Sequence, residues 1–178
     1  SAFRKEAAKK LLSEINFTVI RGNISEIKTL AKNFTASSAI DANINDLVTN
    51  SNLDETISFA KKFSQETGAI IAITGEIDIV ANANKAFVIK NGCSTMAKIS
   101  GTGCMLSAIL GACVAVGQSD ILETTAYTTA LMGYCGEIAD QKIRNQDLGT
   151  GSFKVYLIDA LSTITFPKLK AGVKIELY

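Results

Sequence analysis

The sequence predicts an α/β fold: a single domain, residues 1–178, with a mainly parallel sheet between helical layers. Short β-branched runs alternate with stretches of helical period, which is the pattern of strand-helix-strand units. Ala69-Ile-Ile-Ala-Ile73 is apolar at every position, as a strand covered on both faces must be. A chain of 178 residues, 47% hydrophobic and 20% charged, is long enough to bury one core.

The elements follow in order. Phe3, Ala7, Leu11 and Ile15 recur every four residues among Lys and Glu, which predicts an amphipathic helix at the start rather than a secretory leader. Phe17-Thr-Val-Ile20 predicts a strand ended by Arg21-Gly22, and a helix over about 24–32 follows. Residues 33–50, rich in Asn, Ser, Thr and Asp, read as a long surface loop. Asn52 with Glu55 has the form of a capping box, Leu53, Ile57, Ala60 and Phe63 form the stripe of the next helix, and Gly68 suits its C-terminal end. Runs at 77–80 and 86–89 flank Asn82-Ala-Asn-Lys85 and predict a hairpin at the sheet edge. Residues 104–117 are uncharged, the length of a buried core helix and too short for a membrane span. Helices over 120–143 and about 153–163 complete the pattern, with the turn Asp147-Leu-Gly-Thr-Gly-Ser152 between them.

Composition removes several kinds of chemistry. There is no histidine, so Ser-His-Asp triads, Cys-His pairs and HExxH zinc sites are excluded. Eighteen basic and seventeen acidic residues give a formal charge of +1 with no basic run, which argues against nucleic acid as a partner. Cys93, Cys104, Cys113 and Cys135 form no CxxC pair and read as reduced thiols of a cytoplasmic protein.

The strongest functional signal is Ile99-Ser-Gly-Thr-Gly-Cys104, a glycine turn running into an uncharged helix. Gly101 and Gly103 allow phosphate oxygens to approach the N–H groups of Thr102, Gly103 and Cys104, and the helix dipole adds positive potential there. Taken alone, the motif suits a plain tight turn equally well. Arg21 stands at the end of a strand, where a guanidinium can pair with phosphate. Asn23 and Glu26 have capping-box spacing, and Glu26 can also serve as a Mg²⁺ ligand. Thr74-Gly75-Glu76 and Gly149-Thr-Gly-Ser152 read first as turns, with nucleotide contact as the alternative. Tyr127, Tyr134 and Tyr156 read as partly buried packing residues.

Three segments in this order and spacing, Val19-Ile-Arg-Gly-Asn-Ile-Ser-Glu26, Gly68-Ala-Ile-Ile-Ala-Ile-Thr-Gly-Glu76 and Met96-Ala-Lys-Ile-Ser-Gly-Thr-Gly-Cys104, resemble the hydroxyethylthiazole kinases. The resemblance spans the chain and implies a ribokinase-like three-layer α/β/α fold, incomplete at the N-terminal side. On this reading the chain is the C-terminal two-thirds of such a kinase. The implied activity is ATP-dependent phosphorylation of the alcohol of 5-(2-hydroxyethyl)-4-methylthiazole in thiamine salvage. It implies that Arg21 and Thr74 bind ATP, Gly101 binds the thiazole and Glu26 is associated with Mg²⁺. Cys104 stands where most ribokinase-like enzymes have an aspartate as general base, with Gly101, Thr102 and Gly103 around the transferring group. A cytoplasmic homotrimer with sites between subunits is implied too, with no membrane or nucleic-acid partner. The competing expectations are a pyrimidine kinase or a hydrate dehydratase of the same fold, both of which usually carry Asp at the position of Cys104, or a catalytically silent nucleotide-binding chain.

Overall fold

A computed structural model describes residues 2–34 and 47–178. Most of the loop read over residues 33–50 therefore lies outside the described residues. Two compact units divide the chain, residues 1–88 with 177–178, and residues 89–176.

The first unit opens with α1 (Ala2–Glu14), β1 (Val19–Gly22) and α2 (Ile24–Phe34). Ile24, Ile27 and Ala31 are the buried stripe of α2. α3 (Leu53–Thr67) buries Leu53, Ile57, Ala60 and Phe63, and ends at Gly68, whose φ of 72° is a left-handed cap. The capping box expected at its start is absent. Asn52 turns its side chain backward instead: Oδ1 accepts the Thr49 N–H at 2.7 Å and Nδ2 donates to the Leu47 carbonyl at 2.9 Å. An Asn side chain satisfied by the preceding turn has no acceptor left for the helix.

β2 (Ile70–Ile73), β3 (Asp78–Ala81), β4 (Ala86–Ile89) and β5 (Ile175–Leu177) join β1 in one sheet of order β1-β2-β3-β4-β5. The sheet is mixed. β1 and β2 are parallel, with Arg21 opposite Ala72 and Gly22 opposite Ile73, because the chain between them is long enough for a helical crossover. β2 and β3 are antiparallel, since the link at 74–77 is too short for a crossover. The β3–β4 turn is held by Asn82, whose Oδ1 accepts the N–H groups of Asn84 at 2.9 Å and Lys85 at 2.7 Å. This hairpin is not the edge. Ala86 and Tyr178 exchange backbone hydrogen bonds at 3.0 and 2.8 Å, placing β5 outside β4. Residues of β3 and β4 are buried at every position, which accounts for the apolar character of both apart from Asp78.

The second unit holds a short 3-10 helix (Ser94–Lys98), α4 (Thr102–Val116), α5 (Ile121–Asn145), α6 (Thr150–Thr163) and α7 (Phe166–Gly172). Asp120 caps α5 by accepting the Glu123 N–H at 2.9 Å. The core is built from Leu106, Leu110, Met132, Cys135, Phe153 and Leu157, with further residues of α5 and α6 around them. The expectation of a buried core helix over residues 104–117 is corrected. Only Leu106 and Leu110 of α4 are buried, while Cys104, Ser107, Ala108, Gly111, Ala112, Ala115 and Val116 are exposed, Val116 by 87%. An uncharged helix has no polar face to mark the side that packs, so composition alone does not locate it. α6 begins at Thr150, which makes Gly149-Thr-Gly-Ser152 the start of a helix rather than a loop.

Candidate functional site

The parallel register of β1 and β2 puts their C-terminal ends side by side in the first unit, where ligands of open α/β sheets collect. Arg21 is the third residue of β1, and Thr74 follows β2 directly. The Thr74 N–H donates to the Gly22 carbonyl at 2.9 Å, so the parallel pairing continues one residue past the strand. Arg21 Nη1 donates to Thr74 Oγ1 at 3.2 Å, and the Thr74 hydroxyl donates to the Gly22 carbonyl at 3.4 Å. The two residues expected to bind nucleotide are thus brought into contact. Among the described residues the buried Arg21 Nε has no hydrogen-bond partner, a donor left with unused capacity.

The same corner contains a residue that the sequence reading passes over. Asp78, first in β3, is buried, and its Oδ1 accepts the Gly75 N–H at 2.8 Å. Burial pushes its carboxyl from 3.8 up to about 7, with the Gly75 N–H and the Arg21 charge pulling the other way. The available signal was one acid inside the apolar run Ile77-Asp-Ile-Val80.

Glu26 lies in the first turn of α2 and forms the expected capping box. Its N–H donates to Asn23 Oδ1 at 2.8 Å, while its Oε2 accepts the Asn23 N–H at 2.9 Å. The side chain is exposed. Among the described residues no three of His, Cys, Asp and Glu cluster into a metal cage.

In the second unit Gly101 adopts φ 101° and ψ −6°, a left-handed conformation that side-chain-bearing residues rarely take. It caps α4, and its carbonyl accepts the Met105 N–H at 2.9 Å, the first hydrogen bond of the helix. The N–H groups of Thr102, Gly103 and Cys104 precede that bond and have no partner within the helix. No acidic residue occupies the first turn, a Cβ on Gly101 would meet nothing within 4 Å, and Cys104 presents an exposed free thiol.

A second group missed from sequence holds this turn. The Thr95 hydroxyl donates to Asp140 Oδ1, and Arg144 Nε donates to Asp140 Oδ2 at 2.6 Å, so the 3-10 helix is tied to α5. The Thr95 hydroxyl bond, followed by Arg144, holds the Asp140 carboxyl below its ordinary range. Met96 lies against Gly136, where an added Cβ would stand 2.5 Å from its sulfur. Thr102 Oγ1 in turn donates to the Met96 carbonyl at 3.4 Å.

The remaining candidates have structural explanations. Gly149-Thr-Gly-Ser152 caps α6. Tyr134 and Tyr156 are half-buried, Tyr156 donating to Gln146 Oε1 at 2.9 Å beneath the Lys142 ammonium, whereas Tyr127 is exposed. No helix among the described residues is long and apolar enough to cross a membrane.

Comparison with known proteins accounts for nearly the whole chain. Residues 1–166 match the Hydroxyethylthiazole kinase family. A hydroxyethylthiazole kinase of Clostridium acetobutylicum is 47% identical over all 178 residues, which cover 65% of that protein. Hydroxyethylthiazole kinase 2 of Clostridium botulinum strain Langeland is 39% identical over 178 residues and 64% of its own length. The chain thus spans just under two thirds of these curated relatives. The solved structure of hydroxyethylthiazole kinase from Pyrococcus horikoshii OT3 superposes with a TM-score of 0.82 at 25% identity, covering 100% of this chain and 61% of that one. The fold is accordingly the α/β fold of that hydroxyethylthiazole kinase structure.

Proposed function

This chain belongs to the hydroxyethylthiazole kinase family, and from that premise we propose that it phosphorylates the hydroxyl of 5-(2-hydroxyethyl)-4-methylthiazole with ATP, in thiamine biosynthesis and salvage. One observation carries the reading. Gly101 in its left-handed conformation delivers three N–H groups without helical partners and an exposed thiol to the same helix end.

In this proposal Arg21 and Thr74 bind ATP, and Gly101 contacts the thiazole. The substrate oxygen forms a bond to the γ-phosphorus as the bond to the leaving ADP oxygen breaks, and its proton passes to Cys104 Sγ or to solvent. Phosphoryl transfer goes through a loose transition state, so positioning and charge neutralisation outweigh base strength. The N–H groups of Thr102, Gly103 and Cys104 supply that neutralisation, and Cys104 orients or deprotonates the hydroxyl. Glu26 is the residue that would hold Mg²⁺, directly or through water. A single exposed carboxylate fits an ion whose other ligands are phosphates and water. When bound, Mg²⁺ screens phosphate charge.

The reading includes a homotrimer with sites between subunits and a cytoplasmic location. Exposed apolar side chains such as Val116 and Val155 support the first, and four free cysteines support the second. Light scattering on the purified protein tests the assembly.

Activity is tested by incubating the protein with ATP, MgCl₂ and either the thiazole alcohol or a hydroxymethylpyrimidine, with ³¹P NMR as readout. Thiazole monophosphate and ADP are expected. Phosphorylation of the pyrimidine alone, or of neither, overturns the proposal.

A further inference from the structure

We propose that Asp78 is a positioning residue of the nucleotide site, fixing the Thr74–Gly75 turn so that Thr74 and Arg21 are aimed before ATP arrives. This inference rests on the kinase reading given above, and it concerns a residue that neither the motifs nor the comparisons single out.

The geometry is local and continuous. Asp78 Oδ1 accepts the Gly75 N–H at 2.8 Å, which closes the link between β2 and β3 into a fixed turn. Thr74 leads that turn, with its backbone N–H on the Gly22 carbonyl at 2.9 Å and its hydroxyl accepting from Arg21 Nη1 at 3.2 Å. The turn is therefore anchored from both sides, by β1 through Gly22 and by β3 through Asp78. Without the Asp78 bond the Gly75 amide loses its acceptor, and the backbone beside Thr74 is held from one side only.

Two further facts mark this corner as built for a ligand rather than for stability. A buried carboxyl is an expensive way to hold one N–H, and its raised pKa records the cost. An apolar residue would suit the interior of β3 better. The Arg21 guanidinium beside it keeps a buried Nε with no partner among the described residues. A donor left unsatisfied in a prepared corner is met by an anion that brings its own acceptors, and a phosphate does so.

The test is ATP affinity of the folded protein, measured by calorimetry with ATP and MgCl₂ well below the unfolding temperature. Asp78→Asn keeps an oxygen for the Gly75 N–H and is expected to bind within about threefold of wild type. Asp78→Ala removes the acceptor and is expected to weaken binding by about tenfold or more, the size expected for loss of one aimed contact. Asp78→Leu fills the space and preserves the strand if the Ala variant does not fold, and the same weakening is expected of it. A merely structural role would lower the unfolding midpoint of these variants and leave ATP affinity in the folded state unchanged. Unchanged affinity in the Ala or Leu variant, or an Asn variant as weak as they are, overturns the positioning role. Wild-type protein that binds no ATP overturns the kinase reading and this inference with it, so the two failures are distinguishable.

Discussion

Replacing Asp78 by Asn should remove a pH dependence of stability that the buried carboxyl imposes. The substitution keeps the size of the side chain and an acceptor for the Gly75 N–H, and it deletes only the titration. The carboxyl protonates near 3.8 in an unfolded chain and at about 7 in place. Between these values the folded protein holds a proton that the unfolded chain has released, so stability falls as pH rises. Above about 7 both states are ionised and the loss is complete. Roughly three pK units at about 1.4 kcal/mol each put the full effect on the order of 4 kcal/mol. Urea unfolding of both proteins at intervals from pH 4 to pH 8 measures it, through the difference between their stability curves. That difference should be smallest at pH 4 and should grow in favour of Asn until about pH 7. Parallel curves would mean that Asp78 ionises like an exposed acid, and the enclosed corner with Arg21 and Gly75 would be refuted.

Four further outcomes follow from the second unit and from the cysteines. Gly101→Ala should destabilise by about 1–2 kcal/mol through its φ of 101° alone, since nothing stands within 4 Å of the new Cβ, and thermal melting checks this. Asp140→Asn should lose stability at neutral pH, because a lowered carboxyl pKa contributes above the unfolded value and disappears as pH falls through the folded one. Its unfolding curve and that of wild type should therefore approach each other in acid. Iodoacetamide should modify exposed Cys104 first and buried Cys135, whose thiol burial pushes up to about 11, last, as peptide mass mapping over time would show. In an active preparation Cys104→Ala should lower kcat by about 10²–10⁴ with little change in KM, while Asp there preserves activity; an Ala variant at wild-type rate removes the base role.

How much of this was legible depends on how far each signal reaches along the chain. Local patterns carried well: the Asn23–Glu26 box, the Gly68 cap, the Asn82 turn and the start of α5 at Asp120 all occur where residue type and spacing place them. Asn52 misled because the same side chain that caps a helix also closes the turn before it. The last two elements leave no sequence signal, since α7 is seven residues long and β5 three, too short to show a period. Among the proposed site residues, Arg21, Thr74, Gly101 and Cys104 lie in segments with recognisable wording. Asp78 and Asp140 do not, because their roles come from partners brought close by the fold. Asp78 meets the Gly75 N–H through a turn, and Asp140 meets Thr95 across 45 positions of sequence.

The division between what was legible and what was not is also a division of labour. The groups proposed to touch phosphate are backbone N–H groups and short side chains at the ends of regular elements, and such groups have little freedom of their own. Their aim is set by what holds the element ends: Gly22 and Asp78 around Thr74, and Thr95 and Asp140 behind the glycine turn. Phosphoryl transfer asks for donors already in place, because a donor that must be ordered during the reaction offsets its own electrostatic gain. The buried acids therefore belong to the proposed chemistry as much as the cysteine does. A base as weak as the one proposed at Cys104 leaves most of the proposed rate enhancement to donors that are already in place.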